Sequence, residues 1–257
     1  MTAAENFREC VSEAEWQARV DLAAAYRLVH LYGWSDLLGT HLSARVPDAQ
    51  DQFLINPYGL LFDEITASSL IKVDEEGTVL SESEYDINPA GFVIHSAVHM
   101  ALPEAACVMH THTQAGTGVA TQKHGLQPLT QHALAVIAVT GYHDYEGIAT
   151  DLDERERLVR DLGQNKVLIL RNHGLLTVGR TIAEAWVWMY RAERACKMQL
   201  AFQSSGAEAM EIPEEVQRVT IERNRLANSK DGHRPIGQKE WPALLRQLDR
   251  VDPGYRD

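Results

Sequence analysis

Cys107-Val108-Met109-His110-Thr111-His112 decides how this chain reads. It is an apolar strand that ends in two histidines one residue apart. Side chains at i and i+2 of a strand share a face. Both imidazoles can therefore reach one point in space, as two ligands of a divalent metal must. Lys166-Val167-Leu168-Ile169-Leu170-Arg171-Asn172-His173-Gly174 repeats the arrangement, an apolar run closing on His and then Gly. Three neutral imidazoles with an open fourth position make a catalytic metal site. The bland alternative for a lone histidine after a strand is a structural or solvated role. It weighs less against a pair at one strand end.

Outward from this stretch, strands and helices alternate. Residues 12–33 have helical spacing, with Ser12 and Glu15 at the capping-box interval and Gly33 at the end. Residues 41–46 and 52–56 read as strands joined by a turn at Pro47-Asp48. Asn56-Pro57-Tyr58-Gly59 is a turn. A short helix is expected over 66–70, a strand at 71–73, and a further short strand after the turn ending at Gly77. Asn88-Pro89 opens a helix through Leu102, because Pro loses nothing in a first turn. His95 and His99 lie four apart on one face of it. A helix follows over 113–123, then a strand at 133–139 and a surface helix at 154–162. Residues 175–178 extend to Gly179, and Thr181 caps a long helix to about Gln203. In that helix Trp186, Trp188, Met189 and Tyr190 read as packing rather than a cofactor box. The acidic loop Asp144, Glu146 and Asp151 lacks a calcium-loop pattern and reads as solvated.

The expected fold class is α/β, a three-layer α/β/α sandwich around a central mixed or antiparallel sheet. One domain is expected over 1–205. Residues 206–257 form a helical extension, with helices at 214–228 and 239–249, that packs on this domain or a neighbouring subunit.

Composition narrows the function. The 257 residues are 45% hydrophobic and 23% charged, with net charge −12. An acidic chain does not suit nucleic acid, whose phosphates need a basic surface. The three cysteines, Cys10, Cys107 and Cys196, are far apart, which fits a reducing cytoplasm rather than a disulfide scaffold. The first residues lack an apolar signal core, and no run is long enough to span a bilayer. No membrane partner is expected.

The ordered set Asn-Pro-Tyr-Gly at 56–59, Asn-Pro-Ala-Gly-Phe-Val-Ile-His at 88–95, His-Thr-His at 110–112 and Asn-His-Gly-Leu-Leu-Thr-Val-Gly at 172–179 resembles the class II aldolase/adducin family over about residues 14–205. The resemblance implies an α/β/α sandwich, often a homotetramer with active sites between subunits. It implies that His110, His112 and His173 ligate a divalent metal, usually zinc, with manganese or iron as alternatives.

The chain also departs from the family pattern. The family's catalytic Glu, or the epimerase branch's Asp, falls on Gly91, which has no proton to move. The phosphate-binding donors of the aldolases fall on His41, Tyr58-Gly59 and Pro89-Ala90. Pro has no N–H and Ala no hydroxyl, so donors that a phosphate wants are removed. The epimerase branch's second Asp falls on Leu134. The expected function is thus a metal-dependent lyase that cleaves a C–C bond, aldolase- or decarboxylase-like, in a small non-phosphorylated hydroxy or oxo acid or carbonyl compound. An iron-dependent oxygenase is one alternative, since three neutral ligands can accept iron. A non-catalytic adducin-like binding protein is another.

Replacement catalytic groups are nominated as His41, Tyr58, His95 and His132, with His99, Tyr142 and His143 behind them. A protonated His41 would bind a carboxylate. Asn172 is expected to orient a ligand imidazole. Arg171 reads as a strand-end ion pair rather than a substrate clamp.

Overall fold

The structure, a computed structural model, describes residues 7–147, 152–229, 232 and 235–257. Asp151 of the expected acidic loop lies outside the described residues.

Seven strands form one sheet. They are β1 (His41–Val46), β2 (Ala49–Ile55), β3 (Ile71–Asp74), β4 (Cys107–Thr111), β5 (Thr140–His143), β6 (Val167–Leu170) and β7 (Gly174–Gly179). Their order is β3-β2-β1-β4-β7-β6-β5. Every neighbouring pair is antiparallel except β5 with β6, so the sheet is mixed as expected.

Among the described residues, eight named α-helices accompany it. They are α1 (Glu13–Leu31), α2 (Pro89–Ala101), α3 (Gln114–Ala120), α4 (Gln131–Ile137), α5 (Leu152–Leu162), α6 (Ile182–Ser204), α7 (Glu214–Ala227) and α8 (Glu240–Asp249). No helix of the described residues is long and apolar enough to cross a membrane.

The strand alternation sorts side chains onto two faces. Cys107 and Met109 of β4 join the larger core with Leu22, Trp186 and Trp188 from α1 and α6. Val108 of the same strand joins Ile94, Val98, Leu158 and Leu168 in a second core under α2 and α5. Helices therefore cover both faces, and His110 falls on the α2 side.

Local sequence explains most boundaries. The Ser12 side chain accepts the Glu15 N–H and starts α1, and Gly33 ends it with φ +69°. The Glu15 carboxylate does not return to close the capping box; it bonds Arg19 Nε at 2.9 Å and Lys72 Nζ at 3.0 Å.

Three expectations fail. The strand expected at 133–139 is helix α4, because the Thr130 hydroxyl accepts the Ala133 N–H and opens a helix. A short apolar run does not distinguish the two states by itself. Leu134 is thereby buried in the core. Strand β5 begins only at Thr140. Residues 66–70 form turns instead of a helix, since Thr66 and Ser69 cap each other's N–H groups. The strand after Gly77 shrinks to one bridge, Val73 with Val79.

The last residues pack on their own chain. Trp241 Nε1 donates to Asp21 at 2.9 Å, Arg27 pairs with Asp252 at 2.7 Å, and Tyr255 is buried. Helix α7 rests on α4 with no buried residue of its own.

Candidate metal centre

The centre forms where β4, β7 and the β6–β7 turn meet. His110 is the last but one residue of β4 and His112 follows the strand, with the two rings in contact. His173 sits in the tight turn between β6 and β7. Two residues make that turn possible. Asn172 takes φ +57°, a left-handed conformation that Asn tolerates better than most residues. At Gly174 a Cβ would lie 2.4 Å from the Thr111 carbonyl oxygen. The bare Gly174 backbone lets β7 close on β4 and carries His173 against His112.

The three side chains converge by their Nε2 atoms. His110 Nε2 lies 2.8 Å from His112 Nε2, which lies 2.9 Å from His173 Nε2. The other ring nitrogens fix the tautomers. His110 Nδ1 faces the Leu175 carbonyl at 3.0 Å, and His112 Nδ1 faces the Asp36 carboxylate at 3.0 Å. Both partners can only accept, so each Nδ1 carries the proton and each Nε2 is a bare lone pair. Two lone pairs 2.8 Å apart repel unless a cation or a proton lies between them. The set fits a divalent metal. A tetrahedral zinc with nitrogens at ~2.0–2.1 Å would space them at about 3.3–3.4 Å, a small outward adjustment. Among the described residues this is the one cluster of His, Cys, Asp or Glu close enough to share an ion.

Electrostatics favour the ligand-competent neutral form. Burial, then His41, His173 and His112, hold His110 well below the ordinary histidine value. Burial and the neighbouring His112 and His143 bring His173 to about 4.

The triad opens into a cavity of about 750 Å³, also lined by His41, Asn88, Gln114, Thr117, Tyr145 and Asn172. No Lys, Arg, Asp or Glu is among its described lining residues. The exposed Tyr145 stands at the rim, its ring 6.5 Å from that of His173.

A second histidine cluster lies behind the first. His41 of β1 pairs in register with His110 of β4. Its Nδ1 lies 2.8 Å from His95 Nε2. His95 Nδ1 lies 2.6 Å from the Ser43 hydroxyl, which lies 2.7 Å from His99 Nε2. His99 Nδ1 ends the chain on the Ala105 carbonyl at 2.9 Å. The expected shared face of His95 and His99 on α2 is what lets one serine meet both. Burial, with His112 and His173 behind it, pushes His41 down to about 3. Burial and Arg45 push His99 to about 3, and burial above all lowers His95. A cationic His41 that binds a carboxylate is therefore not what the fold provides.

The remaining nominees stand elsewhere. Tyr58 is 44% exposed, bridged through its backbone to Asp86, and does not line the cavity. His132 is exposed on α4, also outside the cavity. The Tyr142 hydroxyl accepts the Leu126 N–H, and His143 Nδ1 pairs with Asp161 at 2.8 Å. Arg171 reaches Asp144 at 3.4 Å and lies over the Tyr142 ring, the strand-end role expected of it. Asn172 shapes the turn rather than orienting an imidazole. Asp36, which does orient one, was not foreseen. Its only signal is a short Gly-bracketed loop, 33–39, just before the strand that carries His41.

The chain is similar to known proteins. The family described as "Class II Aldolase and Adducin N-terminal domain" matches residues 20–200. A Caulobacter vibrioides protein provisionally named as a class 2 aldolase is 55% identical over 247 residues, 96% of this chain and 95% of its own. Alpha-adducin of Rattus norvegicus is 40% identical over 248 residues, 93% of this chain but 33% of its own length. The structure of an L-fuculose 1-phosphate aldolase from Glaciozyma antarctica superposes with a TM-score of 0.80 over the whole of both chains, at 28% identity.

Proposed function

The chain belongs to the class II aldolase and adducin family, and from that premise we propose that it is a divalent-metal lyase acting on a small, non-phosphorylated hydroxy or oxo acid. One observation carries the reading: three bare or neutral imidazole nitrogens converge at the floor of an open cavity. His110, His112 and His173 would hold a divalent cation, zinc first among the choices, which would supply Lewis-acid stabilisation of the negative charge left by C–C cleavage. The chain's own residues orient and exclude. The Leu175 carbonyl and the Asp36 carboxylate hold two of the ligand rings in one tautomer. Ile94 and the flank of α3 wall the cavity, and Tyr145 lines it too.

The lining supports the substrate class. A phosphate dianion gains most from charge-assisted donors, and no described lining residue is Lys or Arg. The Glaciozyma antarctica relative acts on a phosphorylated sugar; this cavity better suits an uncharged or singly charged ligand.

Similarity to alpha-adducin supports a second reading, a binding module without turnover. The test separates the two. Chain stripped with chelator and reloaded with zinc is incubated with a panel of hydroxy and oxo acids, and products are followed by NMR. The lyase reading expects cleavage that depends on zinc and disappears in His112→Ala. A chain that takes up no stoichiometric metal and cleaves nothing supports the binding module instead.

A further inference from the structure

Nε2 of His41 belongs to a buried ring that lines the cavity, and it has no hydrogen-bond partner among the described residues. The residue is 4% exposed, it lines the cavity, and its hydrogen bond among the described residues is made through Nδ1. The chain behind it has only one possible polarity. The Ala105 carbonyl accepts, so His99 Nδ1 carries a proton and its Nε2 is bare. That nitrogen takes the single Ser43 hydroxyl proton, so the Ser43 oxygen must accept from His95 Nδ1–H. His95 Nε2 is then bare and accepts from His41 Nδ1–H. With neutral rings throughout, His41 shows the cavity a lone pair and no proton.

Position 91 fixes where that lone pair sits. A Cβ built on Gly91 would lie 2.5 Å from His41 Cδ2 and 2.7 Å from its Nε2. These contacts are with a ring held by its own hydrogen bond and packed 4.5 Å, centroid to centroid, from His95. Gly91 and His41 are therefore one unit: any side chain at 91 displaces the ring. The His41 ring also lies 5.3 Å, centroid to centroid, from His110. The ring that carries the acceptor thus neighbours the ring of His110 and lines the same cavity as the triad.

We propose that Nε2 of His41 is the specificity-determining acceptor of this cavity, and that it selects ligands which present a hydroxyl group beside the metal-chelating oxygens. The proposal rests on the metal reading above and narrows its substrate class to 2-hydroxy acids and related hydroxycarbonyl compounds. A donor O–H meets the lone pair; an ether oxygen, a carboxylate oxygen or a phosphate oxygen at the same place meets lone pair with lone pair. An acceptor that a bound ligand covers and leaves unpaired is the costly state, so discrimination comes from rejecting the ligand without a donor.

The probes are glycolate and methoxyacetate, titrated calorimetrically into the zinc-loaded full chain. Both offer a carboxylate and a second oxygen to the cation, and only glycolate carries an O–H. Glycolate is expected to bind about five- to tenfold more tightly, the worth of one neutral hydrogen bond. Gly91→Ala, which displaces the ring, and His41→Phe, which keeps its bulk, should retain zinc and lower the wild-type preference by about five- to tenfold. The methyl group is common to all three comparisons, so its bulk cancels. Equal binding of the two probes to the wild type overturns the proposal, and so does a preference that survives in both variants. Loss of zinc from His41→Phe also overturns it, by making His41 a ligand. The wild type, free of metal, gives an independent reading through ¹⁵N histidine spectra. These should show His41 as the Nδ1–H tautomer, and a proton on Nε2 overturns the proposal whether or not the variants fold. A chain that shows that tautomer but never binds zinc refutes the metal reading alone.

Discussion

Two histidine clusters lie side by side in this protein and behave in opposite ways. In the inner one, His41, His95 and His99 share donors and acceptors with Ser43 and Ala105, and each internal contact has one proton to donate and one lone pair to receive it. In the outer one, His110, His112 and His173 turn Nε2 towards Nε2, and the two tautomers fixed from behind leave no proton for the contact between His110 and His112. The inner cluster's internal contacts are complete without any visitor, and only His41 Nε2 is left facing the cavity. The outer cluster is complete only with a metal ion or a proton between its facing nitrogens. The residue type is the same; what differs is whether the facing atoms have a proton to share, which the inner cluster has at every contact and the outer lacks between His110 and His112. A histidine cluster is thus read from the partners of its second nitrogens.

The sharpest break falls on the outer cluster. His112→Ala removes the nitrogen that both neighbours face. Zinc affinity should fall by more than the roughly hundredfold that loss of an outer partner can cost, while the apo fold stays intact by circular dichroism. Ser43→Ala strikes the inner cluster instead. It strands His95 Nδ1 and His99 Nε2, each buried, and should cost about 2–4 kcal/mol in urea unfolding, with zinc content unchanged. Should Ser43→Ala instead release zinc without loss of stability, the division between the clusters would collapse.

Asp36→Ala loosens one ring of the outer cluster from behind. Because Asp36 is partly exposed, zinc affinity should fall by about tenfold, the lower end for such partners, as competition with a chromophoric chelator would measure.

Acid separates the clusters by another route. His99 drops from an ordinary value of 6.5 to about 3 on folding, through burial and Arg45. The stability this contributes is present above pH 6.5 and is lost as pH falls towards 3, because the unfolded chain takes up the proton first. At pH 5 the loss should be roughly 2 kcal/mol from His99, and His95 adds to it in the same direction. Urea midpoints of the chelator-treated chain at pH 7.5 and 5.0 measure it; equal midpoints would mean that the inner rings protonate freely. The smallest effect belongs to His132→Ala. An exposed residue outside both clusters should change stability by less than about 0.5 kcal/mol and turnover not at all, and a tenfold drop in turnover would bring α4 into the site.

Much of this was legible in the sequence. The period-2 spacing of His110 and His112, the period-4 spacing of His95 and His99, and the glycine after His173 all survive into the fold as geometry. Helix caps at Ser12 and Thr181 place their helices correctly. What was not legible depends on register. Nothing local says that His41 of β1 stands opposite His110, that Ser43 reaches both α2 histidines, or that Asp36 backs His112, since those contacts link residues 52–76 positions apart. The run 133–139 failed for a different reason. Its apolar residues suit either a strand or one buried helix face, and a single hydroxyl at Thr130 decided between them.

The central claim is that the outer three imidazoles bind an ion as one unit. Calorimetric titration of zinc into chelator-treated chain tests it directly. The account predicts one tight site per chain in the wild type, lost in His173→Ala and kept in Ser43→Ala. A wild type that binds no ion tightly, or a His173→Ala chain that binds it as well as the wild type, would contradict it.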